Sequence, residues 1–307
     1  MATAFRAGAL PIVIAMLGAC GGGGGGGGVI APPASEPATA SFASAGANQS
    51  IVMEGKSVAL DTTASLSGTG DVIVAPTGDG KIDNATVKFS FDSARQMSGI
   101  EITSPQASLS FDAVKCQGGV CSGENPGSFA VAIDPSAQGW NYQTFGVWAM
   151  EGAQLPSIRI GAMSAGGPTS GNSVPTTGTA VFTGLAAGLY IDPAGTLWAT
   201  AASMRAEANF ASRSILFSTS NTMRGAEVTA PTGASIADGN LNLSGTLSYA
   251  QGVNNFSGAL QSQNGALSGR GEGKFYGPKA EEIGGVYSLS GSGPSRMIGG
   301  FGGKAAP

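Results

Sequence analysis

The stretch of sequence that decides the fold is Lys274–Tyr287, which reads Lys-Phe-Tyr-Gly-Pro-Lys-Ala-Glu-Glu-Ile-Gly-Gly-Val-Tyr. It continues an alternation in which one face carries Leu267, Gly269, Gly271, Gly273 and Phe275, and the other Ser268, Arg270, Glu272, Lys274 and Tyr276. A period of two residues predicts a β-strand. Glycines weaken a strand unless they make room, so we expect these three to face the interior of a small barrel and the charged face to look outward.

The strand is predicted to end at Gly277-Pro278, where a turn begins. Glu281 and Glu282 follow in this turn. Two solvated glutamates are the ordinary interpretation, and a carboxylate pair for acid–base catalysis is the less favoured one, because adjacent side chains point in different directions.

The same alternation extends from about residue 50 to the end of the chain, with Gly, Pro, Asn or Asp about every eight to twelve residues, which is typical of an all-β sandwich or barrel. Residues 142–150 are apolar on both faces, which predicts a strand covered on both sides. We expect Met297–Phe301 to pair with the first strand after residue 176 and close the sheet, since closure removes exposed edges. The Gly-, Pro- and Ser-rich stretch 166–175 is the expected boundary between two domains.

The stretch Lys274–Tyr287 resembles the closing signature of the transferrin-binding protein B family, and factor H-binding protein, a related surface lipoprotein, carries a similar stretch. Segment 298–304 is similar to the family's terminal strand, and 142–148 and 177–191 are similar to earlier strands. The resemblance implies a β-rich handle-like domain at 48–165, followed by an eight-stranded antiparallel barrel at 166–307. It assigns a structural signature to Phe275, Tyr276, Gly277, Pro278, Glu281, Glu282, Gly284 and Gly285. The family protein has two such lobes, and this chain is long enough for one.

Residues 1–19 have the form of an export signal, because Arg6 precedes an apolar run too short for a membrane-spanning helix, which needs about 20 residues. The segment Leu17-Gly-Ala-Cys20 matches the lipobox of bacterial lipoproteins, which predicts lipidation of Cys20 and cleavage before it. An ordinary secretory signal with a chance cysteine, or a short anchor helix, is the alternative.

The segment after Cys20 predicts how the protein is held. Gly21, where Asp would retain a lipoprotein, favours sorting to the outer membrane. Residues 20–47 contain eight consecutive glycines and then a Pro- and Ala-rich stretch, so we predict a flexible tether with a reach of about 25–30 Å.

The remaining cysteines, Cys116 and Cys121, enclose four residues, and in an oxidising cell envelope this spacing predicts a local disulfide at a hairpin tip. The chain has no histidine, which excludes Ser-His-Asp and Cys-His catalysis and histidine-ligated zinc or haem. Asp79-Gly80 predicts a turn rather than a calcium loop. We therefore expect no catalytic residue, no metal site and no cofactor.

Net charge is −4 and the basic residues are scattered, so nucleic acid is not an expected partner. The leading hypothesis is a surface-exposed, non-catalytic binding lipoprotein for a host protein, such as an iron carrier, or for haem, held by outer-membrane lipid through Cys20. A structural or assembly lipoprotein facing the periplasm is one alternative. A carrier of a small ligand inside the barrel is another.

Overall fold

The structure, a computed structural model, describes residues 39–68, 72–152, 156–227 and 234–306, and consists of two antiparallel β-sheets. The first sheet comprises β1 (Ser50–Leu66), β2 (Val72–Pro76), β3 (Lys81–Phe91), β4 (Met97–Ser104), β5 (Ala107–Phe111), β6 (Lys115–Gln117), β7 (Val120–Asn125), β8 (Ser128–Ile133), β9 (Gln143–Glu151) and β10 (Ser157–Gly166). Its order is β5-β4-β3-β1-β10-β9-β8-β7-β6, with β2 paired to the end of β1.

The second sheet comprises β11 (Thr179–Ile191), β12 (Leu197–Asn209), β13 (Ser214–Glu227), β14 (Ile236–Ala237), β15 (Leu243–Ser248), β16 (Phe256–Ser262), β17 (Ser268–Tyr276), β18 (Glu282–Ser290) and β19 (Arg296–Ala305). Because β11 pairs with β19 and β12 pairs with β13, eight of these strands close into a barrel. The predicted closure by the last strand is confirmed, and so is the all-β fold of a curled sheet followed by a barrel.

Helix is scarce in the described residues. Three short 3-10 turns occur, η1 (Phe42–Ser44), η2 (Gly171–Ser173) and η3 (Gly239–Leu241). Within the described ranges, no helix is long and apolar enough to cross a membrane.

The barrel interior is filled by aromatic side chains. The Phe275 ring lies 5.4–6.0 Å from those of Phe182, Phe210, Tyr249 and Phe256, and Phe301 contacts Phe217 at 4.7 Å. Two of the three β17 glycines face this core as predicted: a Cβ on Gly271 would lie 2.8 Å from Leu260, and one on Gly273 2.5 Å from the Phe256 ring. The third, Gly269, is exposed at the far end of the strand, where a Cβ would meet only the backbone of β18. Gly271 and Gly273 therefore make room for bulky neighbours in a narrow barrel.

The first sheet curls around its own core, in which Trp148 is fully buried. The strand β9 that carries it is covered on both faces over most of its length, as predicted. Arg159 binds both carboxylate oxygens of Asp61 and donates to the Gln106 carbonyl in the β4–β5 turn. This clamp ties the centre of the sheet to its curled edge.

The outer face of the first sheet packs on the outside of the barrel, where β9 and β10 cover β18 and β19. The charged face of β17 points outside the barrel as predicted, but part of it does not reach solvent. Glu272 is only 14% exposed, because Lys56 of β1 covers it and binds it at 3.0 Å. Some residues that face outward from the barrel therefore lie in its interface with the first sheet.

The last residues assigned to the tether, 39–47, differ from the prediction. Phe42 lies edge-on against Phe89, with ring centroids 5.2 Å apart, and Ala45 is 2% exposed. Arg95 donates to the carbonyls of Ala43 and Ala45. A single aromatic residue in a Pro/Ala-rich stretch is enough to seat this segment on the first sheet.

Candidate functional site

The first described residues and one set of loops lie at opposite ends of the two sheets. Ala40 lies against Gly167, which accepts from the Gly277 amide, so the chain enters at the barrel end that carries the β17–β18 turn. We call this the near end. The far end carries the β11–β12 and β18–β19 loops and the end of β1. The 13-residue strand β11 joins the two ends, which places them about 30 Å apart when strand tilt is included.

A groove of about 400 Å³ lies at the far end between the two sheets. One wall is β2 with Ile73, Val74 and Pro76, and the other is formed by Ala194 and Pro294 of the two barrel loops. The Val74 amide donates to the Gly195 carbonyl at 2.8 Å, which fixes the separation of the walls. Both sheets are required to form this groove.

Gly195 is a position where glycine is needed. Its φ is +85°, and a Cβ there would lie 2.7 Å from Ile73. A side chain would both strain the loop and push the β2 wall away.

The polar edge of the groove is held by Arg296. Its Nε lies 3.0 Å from Asp79 Oδ1 and donates to the Gly78 carbonyl, while Nη1 donates to three carbonyls in and beside the β18–β19 loop. Asp79 also accepts from the Ser290 hydroxyl. Asp79 and Gly80, predicted as a turn, lie in the connection between β2 and β3, whose bend falls at Thr77 and Gly78. The Asp79 carboxylate is paired with arginine.

The same β11–β12 loop positions Trp198 on the barrel rim. Asp192 accepts from the amides of Ala194 and Thr196 and from Trp198 Nε1. Arg224 lies over the Trp198 ring at 4.7 Å and within 2.9 Å of Asp238.

Register shifts between β12 and β13 fall beside Trp198, at the rim. Bulges of this kind occur at barrel rims and re-aim side chains. The cation–π contact of Arg224 and the hydrogen bonds of Asp192 therefore hold the Trp198 side chain in place at the rim.

Glu282, expected in a solvated turn, is fully buried at the near end. Its carboxylate accepts the backbone amides of Asn141, Tyr142 and Gln143, the segment that leads into β9. The pKa of Glu282 is raised, chiefly by burial, against the opposing effect of these hydrogen bonds and of Lys304. The solvated interpretation is wrong for Glu282 because the first sheet covers it, whereas Glu281 stays partly exposed and accepts from the Lys279 amide.

The other signature residues separate into two sets. Phe275 lies in the barrel core, and Tyr276 is buried against the first sheet, where its hydroxyl lies 3.4 Å from Ser164. A Cβ on Gly285 would meet the Glu272 carbonyl at 2.3 Å, whereas one on Gly284 would meet the Ser164 hydroxyl at 2.7 Å.

Gly285 thus leaves room for its neighbours within the barrel, and Gly284 leaves room for side chains of the first sheet. Gly277 forms the turn with a φ of +91°, and Pro278 is exposed beside it.

A disulfide joins Cys116 and Cys121 across the β6–β7 hairpin. The hairpin turn is formed by Gly118 and Gly119, both with positive φ. Asp134 lies near the two sulfurs, but the bonded cysteines leave no thiolate for a metal. Cys20, residues 1–19 and most of the tether lie outside the described residues.

The sequence predicts none of the far-end groove, the Trp198 rim or the Lys56–Glu272 pair. One local signal could have indicated the Trp198 rim. Asp192 comes directly before a Pro-Ala-Gly turn, and a carboxylate in that position commonly caps the turn.

The sequence of the second sheet matches a known family of barrels. The model describing the C-lobe and N-lobe beta barrels of Tf-binding protein B matches residues 174–305. Residues 174–305 are therefore similar to a transferrin-binding protein B barrel. The matched range holds all eight strands of the closed barrel, from β11 to β19.

Solved structures of transferrin-binding protein B resemble the chain over most of its length. A variant of the Haemophilus parasuis Hp5 protein is 12% identical, over 84% of this chain and 76% of that one, with a TM-score of 0.43. The isotype 1 protein of serogroup B Neisseria meningitidis is 12% identical, over 85% and 77%, with a TM-score of 0.42. No curated protein matches the sequence.

Proposed function

We propose that this protein is a non-catalytic binding lipoprotein of the outer-membrane surface, anchored by lipidated Cys20, which presents the far end of its two sheets to a host protein. The observation that carries the proposal is the separation of the two ends. The described chain begins at Thr39, the next residue Ala40 lies beside Gly167, and the groove and the Trp198 rim lie about 30 Å away. An anchor on the near side leaves the far end directed outward.

The proposal also agrees with the type of barrel and with the chemistry of the far end. The model that matches residues 174–305 describes the barrels of Tf-binding protein B, a protein whose name gives transferrin as its partner. The far end combines a tryptophan, an arginine and an apolar groove, and such residues are common in protein interfaces. A host iron carrier is therefore the first partner to test.

Of the two alternatives, the small-ligand carrier is less favoured, since aromatic rings occupy the barrel interior. The periplasmic alternative differs from our proposal only in the side of the membrane on which the protein lies. Intact cells treated with protease separate the two. We expect the far-end loops to be cleaved while a periplasmic reporter stays intact.

The matched control is Cys20→Ala, which removes the lipidation site and should leave the protein inside the envelope and protected. Protection of the unaltered protein in cells with an unbroken outer membrane would overturn surface display. Partner binding is tested separately, by incubating the purified chain with iron-loaded serum transferrin, with haem and with whole serum. Absence of any saturable binding would overturn the binding role.

A further inference from the structure

The barrel loops at the near end form one connected surface. The Thr169 hydroxyl donates to the Gly277 carbonyl, and the Tyr249 amide donates to the Arg213 carbonyl, so that neighbouring loops are joined to each other. We call this surface the near-end face, and it consists of residues 168–178, 210–213, 249–255 and 277–281.

The exposed charges of the near-end face are both positive. Arg213 and Lys279 are exposed, and neither forms an ion pair with another described residue. Glu281, the one carboxylate of the face, is only partly exposed and accepts the Lys279 amide of its own turn, while Lys304 beside the face donates to the Gly139 carbonyl. The other exposed side chains of the face are uncharged: Ser170, Asn172, Thr176, Thr177, Ala211, Ser212, Ala250, Gln251, Val253, Asn255 and Pro278.

The near end of the first sheet has a different character. Its loops carry Asp92, Asp112 and Asp134, and the Arg95 guanidinium among them already donates to two carbonyls. An anionic surface would therefore attract the barrel side of the near end and repel the side that belongs to the first sheet. This asymmetry gives such a contact a defined orientation.

The place where the described chain begins determines which surface lies opposite this face. Thr39 and Ala40 lie against Gly167, at the edge of the near-end face. With the anchor at Cys20, only residues 21–38 separate Thr39 from the lipid. A flexible chain of 18 residues has a root-mean-square reach of about 20–25 Å, so the face stays close to the membrane and even a weak contact forms.

We infer that the near-end face is a docking surface for anionic lipid head groups, which Arg213 and Lys279 contact while the near-end loops of the first sheet stay off the membrane. The inference rests on the proposed function for the anchor at Cys20. Each cation near an anionic lipid surface favours contact about fivefold. The barrel then stands on the membrane, and its far end projects about 30 Å outward.

The test compares two lipid surfaces. The full lipidated chain is reconstituted into vesicles of phosphatidylcholine, alone or mixed with phosphatidylglycerol, and amide hydrogen exchange is followed by mass spectrometry. We expect exchange in residues 210–213, 249–255 and 277–281 to be at least threefold slower on the anionic vesicles, and the difference to disappear in high salt. Exchange in residues 92–96 and in the far-end loop 192–196 should be the same on both.

Two double variants serve as a matched pair. Arg213→Gln with Lys279→Gln removes both cations of the face and should abolish the difference between the two vesicles. Lys81→Gln with Lys88→Gln makes the same change in net charge at exposed positions of the first sheet, away from the near end, and should keep the difference. Thermal denaturation of both variants before reconstitution shows whether they fold as the unaltered chain does.

Equal exchange of the near-end face on the two vesicles would overturn the inference, and so would equal slowing of residues 92–96. Persistence of the difference in the folded Arg213 and Lys279 variant would do the same. The vesicles contain no host protein and have no cell envelope, so these outcomes leave surface display and host binding untouched. Failure of the protease or serum experiments would in turn overturn the proposed function without altering the vesicle result.

Discussion

Lys56 of the first sheet and Glu272 of the barrel form an ion pair of 3.0 Å in which the side chains are only 11% and 14% exposed. The pair lies between the near-end contact of Glu282 and the far-end contact of Arg296 with Asp79. Three polar contacts along the interface therefore hold the two sheets in one orientation, and that orientation forms the groove.

Breaking the Lys56–Glu272 pair should be costly. Glu272→Gln leaves the Lys56 ammonium covered and unpaired, and we expect the free energy of unfolding to fall by about 2–3 kcal/mol. The variant also breaks the pair of Glu272 with Arg270, but Arg270 is 60% exposed and its share of the loss should be small. The control is Glu101→Gln, since the Lys88–Glu101 pair has the same length but is nearly half exposed, and its loss should cost at most about 0.5 kcal/mol. Urea denaturation measures both, and equal losses would show that the Lys56 pair is effectively solvated.

Gln143 lies in the interface with both amide atoms buried and without a hydrogen-bond partner, between Gly284 and Gly302. Gln143→Met keeps the length of the side chain and removes these polar atoms, so we expect stabilisation by about 1 kcal/mol. Gln261→Met, on an exposed strand face, should change the stability by less than about 0.5 kcal/mol. Destabilisation at position 143 would indicate an ordered water bound to the amide.

The two signature glycines should respond differently to alanine. At Gly285 the new Cβ meets backbone, the Glu272 carbonyl, whereas at Gly284 it meets the ends of the Ser164 and Gln143 side chains. Backbone yields less easily, so we expect Gly285→Ala to lower the unfolding free energy by about 2–3 kcal/mol and Gly284→Ala by about 1 kcal/mol. Thermal denaturation of both variants checks the order, and the reverse order would contradict the assignment of the two faces.

The contribution of Glu282 to stability should depend on pH. Burial raises its pKa in the folded protein above the usual 4.5. The folded state then holds a proton that the unfolded state has lost, so this contribution is full below pH 4.5 and is lost as the pH rises through the folded pKa. Urea midpoints of the unaltered protein minus those of Glu282→Gln should therefore decrease from pH 4.5 to 7. An increase would mean that the three amide hydrogen bonds outweigh desolvation.

The disulfide should act locally. Its loop is short, so replacing Cys116 and Cys121 together with alanine is expected to lower the unfolding free energy by about 2 kcal/mol. Hydrogen exchange should rise in β6 and β7, with β11 and β19 as internal controls. Faster exchange throughout the barrel would show that the hairpin supports more than its own sheet.

The sequence by itself determined the features that depend on near neighbours. Alternating side chains fix which residues form strands and which face of each is apolar, and glycines with positive φ fix the turns. The disulfide spans four residues and is equally local. Closure of the barrel by β19 also followed, because unpaired edges are unfavourable and β11 was the remaining partner.

Only the tertiary structure decided what happens between the two sheets. Lys56 and Glu272 are 216 residues apart, and Asn141 and Glu282 are 141 apart. Alternation shows that Glu272 and Lys274 point out of the barrel, but not that another sheet covers that surface. The packing of one sheet on the other buries Glu282, leaves the Gln143 amide without a partner and forms the far-end groove. Strand periodicity does not encode this packing.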